Sequence, residues 1–256
     1  MSEVKSLESL AATPAPTMPQ PPDTVVTLIR GISLGDTWLD TAVVREMTGA
    51  DEEFLANMET KTNANYADYV LALLKRTTVS IGSLNIKENP DILNELIIGD
   101  RDLLFLNVIK ATYGNDREFK VICPHCQKSN DLLVDLSADF PIEGDTESAR
   151  KPLSVTLRNG VELLINHPTA IDSAHIGKSN KNTAQQNTMM IAKCAVINVP
   201  NKEEWARTLN VADRSTIINT IFDAKIGPSP REVNAPCGHC GETITLMFDW
   251  VSLLFG

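Results

Sequence analysis

Cys123/Cys126 and Cys237/Cys240 share the spacing C-x-x-C and make up four of the five cysteines in this chain. A tight turn of that spacing aims two sulfurs at one point. Two thiolates fill only half of a tetrahedral zinc shell, so a second pair is needed, and the sequence supplies it. Four thiolates leave no coordination position for a catalytic water, which makes a zinc ion held this way structural. The flanks suit zinc-ribbon knuckles: β-prone Phe119-Lys120-Val121-Ile122 precedes one turn, and Thr243-Ile244-Thr245-Leu246 follows the other. Pro124 stiffens the first turn, while Gly238 and Gly241 relax the second. His125 and His239 are possible substitute ligands, but with four thiolates present they read as exposed turn residues. Two independent redox dithiols would each need a following helix in a thioredoxin-like unit, and neither pair has one. Unmetallated cysteines are the remaining alternative.

Other chemistry-bearing residues have plainer readings. Gly177-Lys178-Ser179 has the tail of a phosphate-binding loop, but Asp172 stands where the leading glycine is required, so a polar helix interruption is expected. His167 and His175 lack the H-E-x-x-H spacing of a hydrolytic metal site. Asp51, Glu52, Glu53, Asp100 and Asp102 read as helix-start carboxylates rather than acid/base pairs. Cys194 sits in an apolar run and reads as a small buried hydrophobe. No catalytic residue and no binding site for an organic cofactor is expected.

The elements that must position the cysteines can be traced along the chain. Residues 1–22 hold five prolines and little to bury, which predicts a disordered arm. Thr24 to Gly31 is a β-rich run expected to end at the glycine, with a strand or hairpin to follow. Thr48 with Asp51 caps a helix, Tyr66 to Leu74 shows helical periodicity ending near Thr77-Thr78-Val79, and Asp100-Arg101-Asp102 opens an apolar helix stopped by Gly114. Val155-Thr156-Leu157 echoes Val26-Thr27-Leu28, Thr169…Asp172 echoes Thr48…Asp51, and Lys193 echoes Lys75. Asp213-Arg214 opens a second apolar helix, with Gly227 fourteen residues after Asp213, as Gly114 is after Asp100. Asp135 and Asp249 each follow the preceding cysteine, Cys126 or Cys240, by nine positions. The reading is an α+β chain of two pseudo-repeats, 24–136 and 153–256, each of helices plus short β-hairpins. An acidic linker, 137–152, joins them, and one shared zinc-ribbon-like site of four cysteines lies at their seam. The apolar C-terminal run Leu246 to Phe255 either packs in the core or leaves an aromatic patch.

Composition narrows function. With 43% hydrophobic residues in 256, the chain can bury a sizeable core. A net charge of −10 and scattered Lys and Arg argue against nucleic-acid binding. No run of eighteen apolar residues suggests a membrane span, and the N-terminus does not resemble a signal peptide, so synthesis in a reducing cytoplasm is expected. No small-molecule substrate is implied.

The order Thr48-Gly49-Ala50-Asp51-Glu52-Glu53, Asp100-Arg101-Asp102-Leu103-Leu104, Tyr113-Gly114, Cys123-Pro124-His125-Cys126 and a terminal half-ribbon ending in aromatics resembles the T-even-like phage baseplate hub subunit family of contractile-tailed viruses. The resemblance spans most of 40–256. It implies a non-enzymatic structural or assembly component of the tail baseplate, made in the host cytoplasm, with other tail and baseplate hub proteins as partners. The alternative is a zinc-ribbon nucleic-acid-binding regulator, which the acidic neighbours Glu118, Asp131 and Glu242 disfavour.

Overall fold

The computed structural model describes residues 24–61 and 66–255; the proline-rich arm lies outside them. The chain is α+β. Strands β1 (Thr24–Leu34) and β2 (Thr37–Val44) form a hairpin, followed by helices α1 (Gly49–Lys61) and α2 (Tyr66–Thr77), short strands β3 (Thr78–Ile81) and β4 (Leu84–Asn85), and helix α3 (Ile98–Tyr113). Hairpin β5 (Asp116–Ile122) and β6 (Ser129–Asp135) carries the first cysteine pair. Hairpin β7 (Leu153–Thr156) and β8 (Glu162–Ile165) then leads to α4 (Ala170–Lys178), α5 (Thr183–Cys194), α6 (Lys202–Thr208) and α7 (Val211–Asp223). Hairpin β9 (Glu232–Pro236) and β10 (Thr243–Met247) carries the second pair, and α8 (Trp250–Phe255) follows. Strands β1 to β4 form one sheet in sequential order, and each other hairpin is a separate two-stranded sheet.

Both halves run hairpin, helices, cysteine hairpin, and they share local devices. Asp51 ties down the start of α1 by accepting from Thr48 N–H and Thr48 Oγ1, both at 2.9 Å, and Asp172 accepts from Thr169 N–H and Oγ1 in the same way at α4, at 3.1 and 2.7 Å. Arg45 and Arg76 each reach Asp51 at 2.7 Å. Burial opposes that carboxylate's charge, yet the two guanidinium groups and Thr48 hold it well below the usual range. The β2–β3 ladder begins at Val44 and Thr78, and its place in the second half is taken by one bridge, Ile165 with Ala195.

Asp100 lies in the first turn of α3 as expected, and it is also buried. The register of β1 against β2 shifts between Thr27 and Ile32, which releases backbone N–H groups from the ladder. Those of Ile29, Arg30 and Gly31 donate to the buried Asp100 carboxylate at 2.5, 3.1 and 2.9 Å. Burial raises the affinity of Asp100 for a proton, and the three donors work against it. Asp100 therefore clamps α3 to the strand bulge as well as standing in the first turn of that helix. Asp213 of α7 accepts from Arg158 N–H at 2.9 Å, a bond of the same kind. Asp102 is also buried and pairs with Arg101 at 2.6 Å. Helix α3 is buried nearly all round, as a central helix must be.

The largest core combines β1 to β3, α1 to α3 and the first cysteine hairpin with Phe248, Trp250, Leu253 and Leu254 from the chain end. Trp250 lies 6.1 Å from the Phe105 ring and 5.8 Å from that of Phe140, and Phe248 lies 4.7 Å from Phe119. Of the two outcomes open for the C-terminal run, packing in the core describes these residues; Met247 stays exposed. A second core joins β7, β8 and α5 to α7. The 137–152 segment is pinned: Phe140 and Ala149 are buried, and Glu143 exchanges backbone hydrogen bonds with Gly227. Gly99 allows this crossing, since a Cβ there would stand 1.8 Å from the Ile226 carbonyl oxygen.

Candidate metal centre

Each cysteine pair sits on a hairpin turn closed by the same bonds. Cys123 N–H donates to Lys128 C=O at 2.9 Å and Gln127 N–H to Cys123 C=O at 2.9 Å. In the second turn Cys237 N–H donates to Glu242 C=O at 2.8 Å and Gly241 N–H to Cys237 C=O at 2.9 Å. The fifth residue of each turn is left-handed, at φ 59° for Gln127 and 78° for Gly241. Glycine takes that conformation freely. Gln127 is held in it by its own side chain, whose Nε2 donates to Pro124 C=O at 2.9 Å.

The two turns face one another. Cys123 Sγ lies 3.8 Å from Cys240 Sγ, Cys126 Sγ lies 3.7 Å from Cys237 Sγ, and all four sulfurs fall within 4.8 Å of one another. A zinc–sulfur bond of about 2.3 Å gives a tetrahedron with an edge of about 3.8 Å, so both measured edges, each joining different halves, suit one ion. They are far longer than the roughly 2.05 Å of a disulfide. Cys123 and Cys237 are buried with Leu132 and Ile244, Cys126 is partly covered, and Cys240 faces solvent.

Crowding of the sulfurs divides their acidities. Desolvation opposes ionisation of Cys237, but the N–H groups of His239 and Cys240 and the nearby thiols hold it down at about 6. Cys240 moves the opposite way, to about 12: Glu242 N–H favours its thiolate, and desolvation with the Cys237, Cys126 and Cys123 sulfurs outweighs that help. Cys237 therefore ionises more readily than an ordinary thiol and Cys240 less readily.

Two side chains cross between the knuckles. Asn130, buried on the inward face of β6 beside Leu132, accepts from Gly238 N–H at 3.0 Å and donates to Lys128 C=O at 3.0 Å. His239 Nε2 lies 3.1 Å from Ser129 C=O, and since a carbonyl only accepts, Nε2 carries the proton. His239 is exposed as expected, yet it is tied across the site. Asn130 went unnoticed in the sequence; its signal was one polar residue in the apolar alternation Asn130, Leu132, Val134.

The remaining candidates lie apart from this cluster. Gly177 and Lys178 end α4, where a helix presents carbonyls rather than N–H groups, and Lys178 pairs with Asp68 at 2.8 Å. His167 is buried, and desolvation with the nearby Arg30 keeps it neutral more readily than usual; His175 is exposed. Cys194 is buried, its thiol pushed up to about 12 by desolvation and Asp172. Among the described residues the four cysteines are the one His/Cys/Asp/Glu group with metal-holding geometry.

The family model described as T4 bacteriophage base plate protein matches residues 30–221, about three quarters of the chain. The matched span holds Cys123 and Cys126 and stops short of Cys237 and Cys240. No curated protein and no solved structure matches.

Proposed function

The chain belongs to the T4 bacteriophage base plate protein family, and from that premise we propose that it is a non-enzymatic structural or assembly component of the baseplate hub, stabilised by one zinc ion. Family membership supports a place in the virion tail among other tail and baseplate proteins. Zinc is the ion that suits four thiolates at tetrahedral spacing, with Cys123, Cys126, Cys237 and Cys240 as its ligands. The observation that carries this reading is that the two close sulfur pairs each join residues more than a hundred positions apart. When bound, the ion supplies charge compensation and a crosslink. The chain's own residues orient the sulfurs, bury two of them and close both turns.

The same reading makes the halves, 24–136 and 153–256, copies of one ancestral unit meeting at the metal. Its support is the paired devices: the Thr48/Asp51 and Thr169/Asp172 caps, the bonds from Ile29 to Asp100 and from Arg158 to Asp213, and the matched knuckles. A protein of this kind acts by binding neighbours. Mass spectrometry of purified phage particles, with co-purification beside co-expressed hub and tail-tube proteins, tests the proposal. Stable co-purification is expected. A protein that stays alone beside every hub and tail-tube component would refute the hub role while leaving family membership intact.

A further inference from the structure

Building on the metal reading, we propose that Asn130 and His239 are positioning residues that dock the two knuckles independently of the ion and thereby set metal affinity. Docking of this kind needs bonds between the turns that do not pass through the sulfurs. The two cross-knuckle bonds have the right form. Asn130 Oδ1 takes Gly238 N–H at 3.0 Å while Asn130 Nδ2 is anchored on Lys128 C=O at 3.0 Å, so one buried amide links the backbones of both turns. His239 Nε2 donates to Ser129 C=O at 3.1 Å from the opposite turn, and His239 N–H points at Cys237 Sγ, 3.4 Å away. The imidazole is thus engaged through Nε2 with a carbonyl, as an outer residue and not as a ligand.

The bonds are one-sided. Position for position, His125 matches His239 and Ile244 matches Asn130. Ile244 packs in the apolar cluster, and no side-chain hydrogen bond of His125 is seen among the described residues. Among the described residues the side-chain hydrogen bonds to backbone that cross between the knuckles therefore lie on the edge formed by Ser129, Asn130, Gly238 and His239, beside the apolar contact of Leu132 with Ile244. Residues that orient metal ligands from outside typically change metal affinity about 10- to 100-fold when removed. Asn130→Leu keeps the branching and deletes the link, His239→Phe keeps a planar ring and deletes the donor, His239→Gln restores a donor, and His125→Phe is the control at the matching position.

The test is competition of the full chain with a chelator for zinc, with the cobalt(II) absorption spectrum reporting the number of thiolate ligands. Asn130→Leu and His239→Phe should each bind zinc about 10- to 100-fold more weakly. Their cobalt spectra should keep the four-thiolate form, His239→Gln should recover part of the loss, and His125→Phe should match the parent. Equal affinity in the parent and in His239→Phe would overturn the inference, as would a His239→Phe spectrum with altered ligation, which would make His239 a ligand. Because His239 is exposed, its variants carry the test even where Asn130→Leu does not fold. A parent chain that takes up neither zinc nor cobalt would refute the metal reading itself, a result distinct from unchanged affinity in the variants.

Discussion

Replacing Gly99 by alanine should open the seam between the halves. The added Cβ would stand 1.8 Å from the Ile226 carbonyl oxygen, 2.8 Å from its carbon and 3.3 Å from Gly227 Cα, all backbone atoms that cannot rotate away. To reach even 3.0 Å the 226–227 segment must retreat, and Glu143 holds that segment through backbone bonds of 2.9 and 3.4 Å. Overpacking costs about 1–3 kcal/mol, and loosening two hydrogen bonds adds about 1 kcal/mol each. Alanine's better helix propensity returns at most about 1 kcal/mol. The net loss is about 3 kcal/mol, or roughly 6–12 °C in Tm for a chain of this size. Calorimetry and urea unfolding measure it. Gly49→Ala, at a helix start with nothing within 4 Å of the new Cβ, should be neutral or slightly stabilising. A Gly99→Ala protein as stable as the parent would refute the close crossing.

Trp250→Ala should cost about 3–5 kcal/mol, because this fully buried ring fills space between Phe105 and Phe140; chemical unfolding measures the loss. Asp100→Asn should cost about 2–3 kcal/mol by urea unfolding, since an amide presents its own donors to the three N–H groups that the carboxylate accepts. The Asp51 carboxyl is held below its ordinary range, so its contribution is present above the unfolded-state value of about 4 and is lost as pH falls towards the folded-state value. Stability should therefore decline on acidification below about pH 4, and Asp51→Asn should show a shallower decline in unfolding titrations at stepped pH.

What the sequence could tell followed how local each feature is. The capping pair Thr48 and Asp51, the β-prone flanks of the knuckles and the C-x-x-C spacing are set within a few residues, and each lies where sequence reasoning put it. The meeting of the cysteine pairs was legible despite its range, because half a zinc shell demands a second half. Other long-range features left little trace. Asp100 looks like any first-turn carboxylate until the bulge 71 positions earlier offers it three N–H groups. Nothing near Gly99 announces that Gly227 will cross it, and the apolar chain end does not reveal that Phe248 and Trp250 complete the core of the first half. The one-sided docking by Asn130 and His239 was hidden by the similarity of the two knuckles, which directs attention to what they share.

The central claim is that one ion is held jointly by both halves. Metal analysis of the chain purified without added metal, alongside Cys123→Ser and Cys237→Ser, tests it directly. The account predicts one zinc per parent chain, loss of that ion in each single variant, and a clear drop in Tm when a chelator removes it from the parent. A metal-free parent, or a variant in which the untouched pair alone keeps its ion, would contradict it.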